Sequence, residues 1–311
     1  MRPTVAERWL SAHLFYQGDL DDLLVRAAGP LVSELASGGL ITGSFFLRYW
    51  EGGSHLRLRV LPVDPSTRNR VQTLITERIG RYLREHPSAD VMSAAEYARL
   101  AKTMASAEGL TGYTRCMCPN NSIAFIPYRR EHDRYGYGQS IEAVERHFTE
   151  SSRIALSLLG AGMSRSERAT ACYCLIALTW SCGGPSPPRS AGGTGPYPSW
   201  ERRFHLGELI DGAGLDAHYR RQRDRVVHLT RRLQTLAGRL PDVAGDQALA
   251  AWGKSVVSLR DALGDPSARV LPVLDVCAHL ACNRLGVSLV EECSLRYLAS
   301  RALAAIAGEE R

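Results

Sequence analysis

The chain has 311 residues, 45% hydrophobic and 23% charged, with 38 Lys and Arg against 32 Asp and Glu for a formal net charge of +6. That composition fills a sizeable globular core, as one large domain or two ordinary ones, and is only moderately basic. No run of about 18 apolar residues marks a membrane span, and the start from Met1 to Arg8 lacks a signal-peptide core, so a cytoplasmic protein with no membrane partner is expected.

In chain order, Trp9 to Tyr16 reads as a strand that ends at Gln17-Gly18-Asp19. A helix with Asp at its start then runs through Leu23-Leu24-Val25 to Leu35, bends at Gly29-Pro30 and closes at Gly38-Gly39. The most informative stretch is Ser44 to Val60. Aromatic and aliphatic residues lead to a Trp-Glu-Gly-Gly turn, after which strict alternation resumes, predicting a β-hairpin. Leu56, Leu58 and Val60 then face a core while His55, Arg57 and Arg59 share the other face. With Arg48 just before the turn, four basic or titratable groups are expected near one hairpin end, which suits a carboxylate or an enolate-like oxygen. The alternative is a strand face of solvated arginines.

Pro62 to Pro65 makes a turn, and Ser66 or Thr67 caps a helix whose apolar positions are Val71, Leu74, Ile75, Ile79 and Leu83. It stops before Pro87. Ser93 to Leu100 is helical, Gly109 to Cys118 irregular, and Ser122 to Tyr128 a strand that ends at Pro127 or lies on an edge. The fold class is therefore α+β: an N-terminal antiparallel or mixed sheet with helices, then a mainly helical C-terminal half. Ile141, Val144, Phe148, Ile154, Leu158 and Leu159 form one helical stripe, and the nearly all-apolar Ala169 to Trp180 should be buried. Residues 183–198, rich in Gly, Pro and Ser, read as a mobile loop or lid. Leu215 to Leu240, Asp246 to Leu263, Val270 to Leu285 and Leu289 to Ala307 complete the helices. The whole, 1–311, is read as one unit with a sheet-containing part, 1–139, and a helical part, 140–311.

The eight cysteines sit in ordinary apolar segments and read as reduced, buried thiols. Cys116-Met117-Cys118 has no matching second pair, so no metal or other cofactor is expected. The basic run Tyr219 to Arg225 with Arg231-Arg232 reads as a solvated helix face, an acidic peptide or a nucleic-acid backbone being the sharper alternatives.

Two further constellations stand out. In Tyr128-Arg129-Arg130-Glu131-His132-Asp133-Arg134-Tyr135-Gly136, a helical turn would set Tyr128, Glu131 and Arg134 along one edge, either around a ligand or as a structural Glu-Arg support. In Val276 to Gly286, His279 and Asn283 share a helix face with Arg284 beside them, and Gly286 stops the helix. A helical histidine is usually a satisfied core residue; followed by Asn-Arg at a helix end it suggests a site.

Taken in order, Phe46-Leu47-Arg48-Tyr49-Trp50 with Gly53-Ser54-His55-Leu56-Arg57-Leu58-Arg59, Tyr128 with Glu131 and Arg134-Tyr135-Gly136, Glu145 with Phe148 and Ser151-Ser152, and His279 with Asn283-Arg284-Leu285 resemble the thiopeptide-type bacteriocin biosynthesis family. This is the elimination domain of nisin-type lantibiotic dehydratases, found also as a separate protein. The resemblance implies a lyase that removes glutamate from glutamylated Ser or Thr of a ribosomal precursor peptide, leaving dehydroalanine or dehydrobutyrine. Related stand-alone members instead join two dehydroalanines in a formal [4+2] reaction that makes the pyridine of thiopeptides. A non-catalytic relative that binds a leader peptide is the third reading. The implied partners are the precursor peptide with its leader, a separate glutamylation subunit and a second copy in a homodimer, with no direct nucleic-acid contact.

On this resemblance His279 is the expected acid/base group, Arg59 and Arg57 hold the enolate or the leaving carboxylate, and Arg134 orients through Glu131. Arg48, His55, Tyr128, Glu131, Asn283 and Arg284 are expected to contact substrate. The sequence departs at one place. Elimination domains are expected to carry another arginine shortly before Tyr-x-x-Glu, where this chain has Asn120-Asn121-Ser122, with Arg115 the nearest candidate.

Overall fold

The computed structural model describes residues 8–183, 212–243, 247–264 and 270–309. The Gly/Pro-rich loop expected at 183–198 therefore lies, past Gly183, outside the described residues. Two compact units are formed, one of Met1–His132 with Ala155–Ala161 and one of Asp133–Ile154 with Gly162–Arg311.

In the first unit, strands β1 (Leu10–Phe15), β2 (Ile41–Tyr49), β3 (His55–Pro62) and β4 (Ser122–Phe125) form an antiparallel sheet in the order β2-β3-β1-β4. With helices after β1 and β3, this is the β-α-β-β-α-β arrangement. Every residue of β1 is buried, polar Ser11 and His13 included, and β4 lies on an edge and ends before Pro127. After Asp19, whose carboxylate accepts from the Asp21 N–H, helix α1 (Leu20–Leu23) passes through a π-turn (Leu24–Ala28) into α2 (Gly29–Ser37). The bend expected at Gly29-Pro30 is this π-turn, which accommodates the proline that ordinary helical bonding would not.

Helix α3 (Arg68–Glu85) buries Val71, Ile75, Ile79 and Leu83 and packs on β1 and β4, while α2 packs on β2. Its cap differs from the expectation. Thr67 is the N-cap residue but makes no side-chain capping bond; the Asp64 carboxylate accepts from the N–H groups of Ser66 and Thr67 instead. Helix α4 (Ala94–Glu108) opens with a full capping box between Ser93 and Glu96.

In the second unit, α6 (Gln139–Gly160) follows the single turn α5 (His132–Tyr135), and its residues to Ile154 belong here. Helix α7 (Arg165–Cys182) is buried without a break from Cys172 to Trp180, as its all-apolar sequence requires, because α8 (Gly212–Arg239), α9 (Ala248–Leu263), α10 (Val270–Arg284) and α11 (Leu289–Glu309) all pack on it. Polar atoms in these contacts are matched. Trp252 Nε1 donates to Leu175 O at 3.1 Å and Thr179 Oγ1 at 3.0 Å, and the Tyr173 hydroxyl meets Thr230 Oγ1 at 2.5 Å. Six of the eight cysteines, all free thiols, are buried; Cys116 is exposed and Cys118 partly so. No helix among the described residues is long and apolar enough to cross a membrane.

Candidate active site

The sheet of the first unit sorts its residues by strand parity. Register pairs His55 with Tyr49 and Phe15, Arg57 with Leu47 and His13, and Arg59 with Phe45 and Ser11, so these side chains share one face. Leu56, Leu58 and Val60 occupy the other and are buried. Arg48 pairs with Leu56 and therefore lies opposite the group it was expected to join, where it forms an ion pair with Asp21 at the start of α1. The reason is register: the connection Trp50 to Ser54 sets Tyr49, not Arg48, across from His55. Three groups from the hairpin share the face, and β1 adds a fourth that the sequence reading missed, His13.

Around His55, the Gly53 carbonyl accepts from Nδ1 at 2.8 Å, which leaves Nε2 to accept the Arg57 Nε–H at 3.4 Å. The His55 and His13 rings stack with centroids 5.0 Å apart. Burial, then the charges of Arg57, His55 and Arg59, push the His13 imidazole down to about 3. Burial likewise brings His55 to about 4, against the Gly53 bond and together with Arg57. Both rings are neutral at neutral pH, so the cationic character of the face belongs to the two guanidinium groups. Arg57 lies over the Tyr49 ring, 3.5 Å from its centroid, and gives Nη2 to Glu51 at 3.2 Å. Arg59 lies 4.3 Å from the Tyr128 centroid and 5.3 Å from that of Phe45, within an aromatic group that Trp9 completes. Trp9 Nε1 and Ser11 Oγ, both buried, have no hydrogen-bond partner among the described residues. Guanidinium groups beside unengaged donors suit an anionic oxygen.

The hairpin turn is fixed from outside. Gly52 and Gly53 take φ of 83° and 105°, Gly52 N–H donates to the Tyr97 hydroxyl at 2.7 Å, and Cys118 N–H donates to Gly52 O at 2.8 Å. A Cβ on Gly52 would meet Cys118 Sγ at 3.2 Å and Phe15 Cε1 at 3.3 Å.

Other expectations fare differently. Helix α5 begins only at His132, so Tyr128 and Glu131 precede it and the shared helical edge with Arg134 does not form; Tyr128 is instead drawn into the ring group around Arg59, while Glu131 and Arg134 are exposed. Gly136 and Gly138, at φ of 85° and 55°, make the expected sharp bend into α6. At the departure, Asn120 Oδ1 accepts from Gln17 N at 3.0 Å and Ser88 Oγ at 3.1 Å, and its amide donates to Ser88 O and Asp90 Oδ1. Asn121 Oδ1 accepts from Ser88 N at 2.8 Å. The pair clips residues 88–90 to the end of β1. Arg115 is exposed.

In the second unit, His279 on α10 is partly exposed and gives Nδ1 to Glu292 Oε2 at 2.8 Å. The other oxygen, Oε1, accepts from Arg296 Nε at 2.7 Å, and Arg296 Nη1 in turn donates to Asp275 Oδ1 at 2.5 Å. Burial pushes the Glu292 carboxyl up, but the charges and hydrogen bonds of His279 and Arg296 outweigh it and hold it below its usual range. The sequence reading missed Glu292, Arg296 and Asp275; the one signal available was Asp275, a charge among the apolar residues of α10, four residues before His279. Arg284 is fully buried and donates to Ser151 Oγ at 3.0 Å, 5.3 Å from the Phe148 centroid. Burial makes it an internal support joining α10 to α6 rather than a surface contact. Asn283 is half-buried.

No curated protein matches the chain. In structure it is similar to the pyridine synthase TbtD from thiomuracin biosynthesis, with 21% identity and a TM-score of 0.75 over 97% of this chain and 100% of that one. It is also similar to the tRNA-dependent lantibiotic dehydratase MibB from Microbispora sp. 107891, with 21% identity and a TM-score of 0.62; the whole chain is covered but only 29% of MibB. TsrL matches with 18% identity and a TM-score of 0.59, over 96% and 95%. At such identities the likeness establishes the fold. The model of the lantibiotic biosynthesis dehydratase C-terminal family matches residues 9–303, nearly end to end, and the chain belongs to that family.

Proposed function

We propose that the protein eliminates glutamate from glutamylated Ser or Thr of a ribosomal precursor peptide, leaving dehydroalanine or dehydrobutyrine. The observation that carries this reading is a partly exposed imidazole whose Nδ1 lies 2.8 Å from a buried carboxylate oxygen of Glu292, which leaves Nε2 as the nitrogen that exchanges a proton. In the reaction a base takes the α-proton, the Cα=Cβ bond forms, the Cβ–O bond breaks and its electron pair leaves on the glutamate carboxylate. His279 serves as the acid/base group. Arg57 and Arg59 hold the oxygen that gains charge, with Tyr128 supporting Arg59 and His55 supporting Arg57. Arg134, Glu131 and Asn283 orient the peptide.

Purified protein given a chemically glutamylated peptide should release free glutamate and leave a product lighter than the unmodified peptide by one water per Ser. His279→Ala should slow that release by about a hundredfold to ten-thousandfold. Release at the normal rate would remove His279 from the chemistry.

One observation favours a second reading, pyridine formation: the fold is more similar to that of TbtD, with a TM-score of 0.75, than to that of MibB, with 0.62. A peptide carrying two dehydroalanines and azoles tests it, with a macrocycle and a detached leader as products. Binding to either peptide with no change in mass would point to a leader-binding relative.

A further inference from the structure

We infer that Glu292, held by Arg296 and Asp275, is a positioning residue that sets the tautomer and orientation of His279. The inference rests on the reading of His279 as the acid/base group.

The arrangement is a single chain of alternating charge. Glu292 uses one oxygen on His279 Nδ1 at 2.8 Å and the other on Arg296 Nε at 2.7 Å, so the carboxylate is held at both ends. Arg296 is held in turn, by Nη1 to Asp275 Oδ1 at 2.5 Å and Nη2 to the Asp275 carbonyl at 3.1 Å. Asp275 Oδ1 also accepts from Trp180 Nε1 at 3.0 Å, which fastens the far end to α7. Three helices thus fix one imidazole.

Stability does not account for the chain. Glu292, Arg296 and Asp275 are exposed by only 1%, 4% and 4%, and buried charges of this kind are commonly no better for stability than apolar residues of the same volume. Its outer end does account for it. The His279 side chain is 18% exposed, the most open member of the ion-paired group, so the order built inward is delivered to the one ring that faces outward. Among the described residues the group holds two carboxylates and one guanidinium, so an imidazolium at His279 is set beside a buried carboxylate. A proton taken up at Nε2 is thus met by the Glu292 carboxylate already in place at Nδ1.

The test is Glu292→Gln in the full chain, read in two ways. Nitrogen-15 NMR of the His279 ring, at a pH where it is neutral, should show Nδ1 protonated in the wild type and a mixture of tautomers in the variant. Glutamate release should fall about ten- to a hundredfold in kcat with KM within about twofold, while the thermal transition stays cooperative. Arg296→Lys, which keeps the charge but loses the fork, should show the same two changes in weaker form and serves if the Gln variant does not fold. An unchanged tautomer, or an unchanged kcat with an altered tautomer, overturns the inference. If the wild-type ring is ordered as described and Glu292→Gln disorders it, yet wild-type protein releases no glutamate, the positioning role stands and the elimination reading fails.

Discussion

Arg57 lies over Tyr49, its guanidinium carbon 3.5 Å from the ring centroid, while the hydroxyl of the same tyrosine donates to Glu108 at 2.8 Å. Glu108 takes Trp50 Nε1 on its other oxygen at 2.7 Å, so a carboxylate from α4 aligns the surface on which the guanidinium rests. The cation is located by a plane below and by Glu51 at its edge.

A planar cation is therefore required. Arg57→Lys should keep the fold but raise KM for a glutamylated peptide by about tenfold, because an ammonium neither stacks nor presents a fork. Steady-state glutamate release with a matched thermal melt checks this; an unchanged KM would show that Arg57 does not meet the substrate.

Tyr128→Leu removes a ring 4.3 Å from Arg59 without removing the charge. The stacking is worth about 0.5–2 kcal/mol, so kcat/KM should fall by about two- to thirtyfold. Tyr128→Phe should retain most of the activity, which separates the ring from the hydroxyl.

The stacked histidines give the fold an acid limit. His13 and His55, ordinarily near 6.5, are held near 3 and 4 in the folded chain. Their unfolded forms thus bind protons that the native forms refuse, so the stability they contribute is complete above about pH 6.5 and is lost as pH falls toward 4 and 3. For His55 the loss at pH 4 is about 3 kcal/mol. Urea unfolding across pH 4–7 should show this slope, and His13→Phe should flatten part of it. Equal slopes in the two proteins would count against it.

Gly52→Ala should cost about 1–3 kcal/mol in the same measurement, since it forces a Cβ to positive φ and against Cys118 and Phe15. Activity should fall further than stability implies, because the turn sets the register of Arg57 and Arg59.

Much of this was legible beforehand. The alternation from His55 to Val60 assigns Arg57 and Arg59 to one face, and the apolar run in α7 announces its burial. What was not legible depends on partners distant in sequence. His13 belongs to the cationic face only because β1 pairs with β3, and the alternation of Leu10, Ala12 and Leu14 with Ser11 and His13 does not say which strand lies beside it. Arg48 was misplaced by counting its distance from the turn rather than its parity. Tyr128, Glu131 and Arg134 looked helical at spacing three, but the ring contact with Arg59 and the late start of α5 decided otherwise. The Glu292 to Arg296 spacing is that of an ordinary solvated pair, and burial alone distinguishes it.

Asn120 both receives hydrogens, from Gln17 and Ser88, and gives them, to Ser88 and Asp90. An arginine side chain has five donors and no acceptor, so it cannot occupy that position and keep the fastening. A fixed cation at position 120 and the fastening of residues 88–90 to the end of β1 therefore exclude each other.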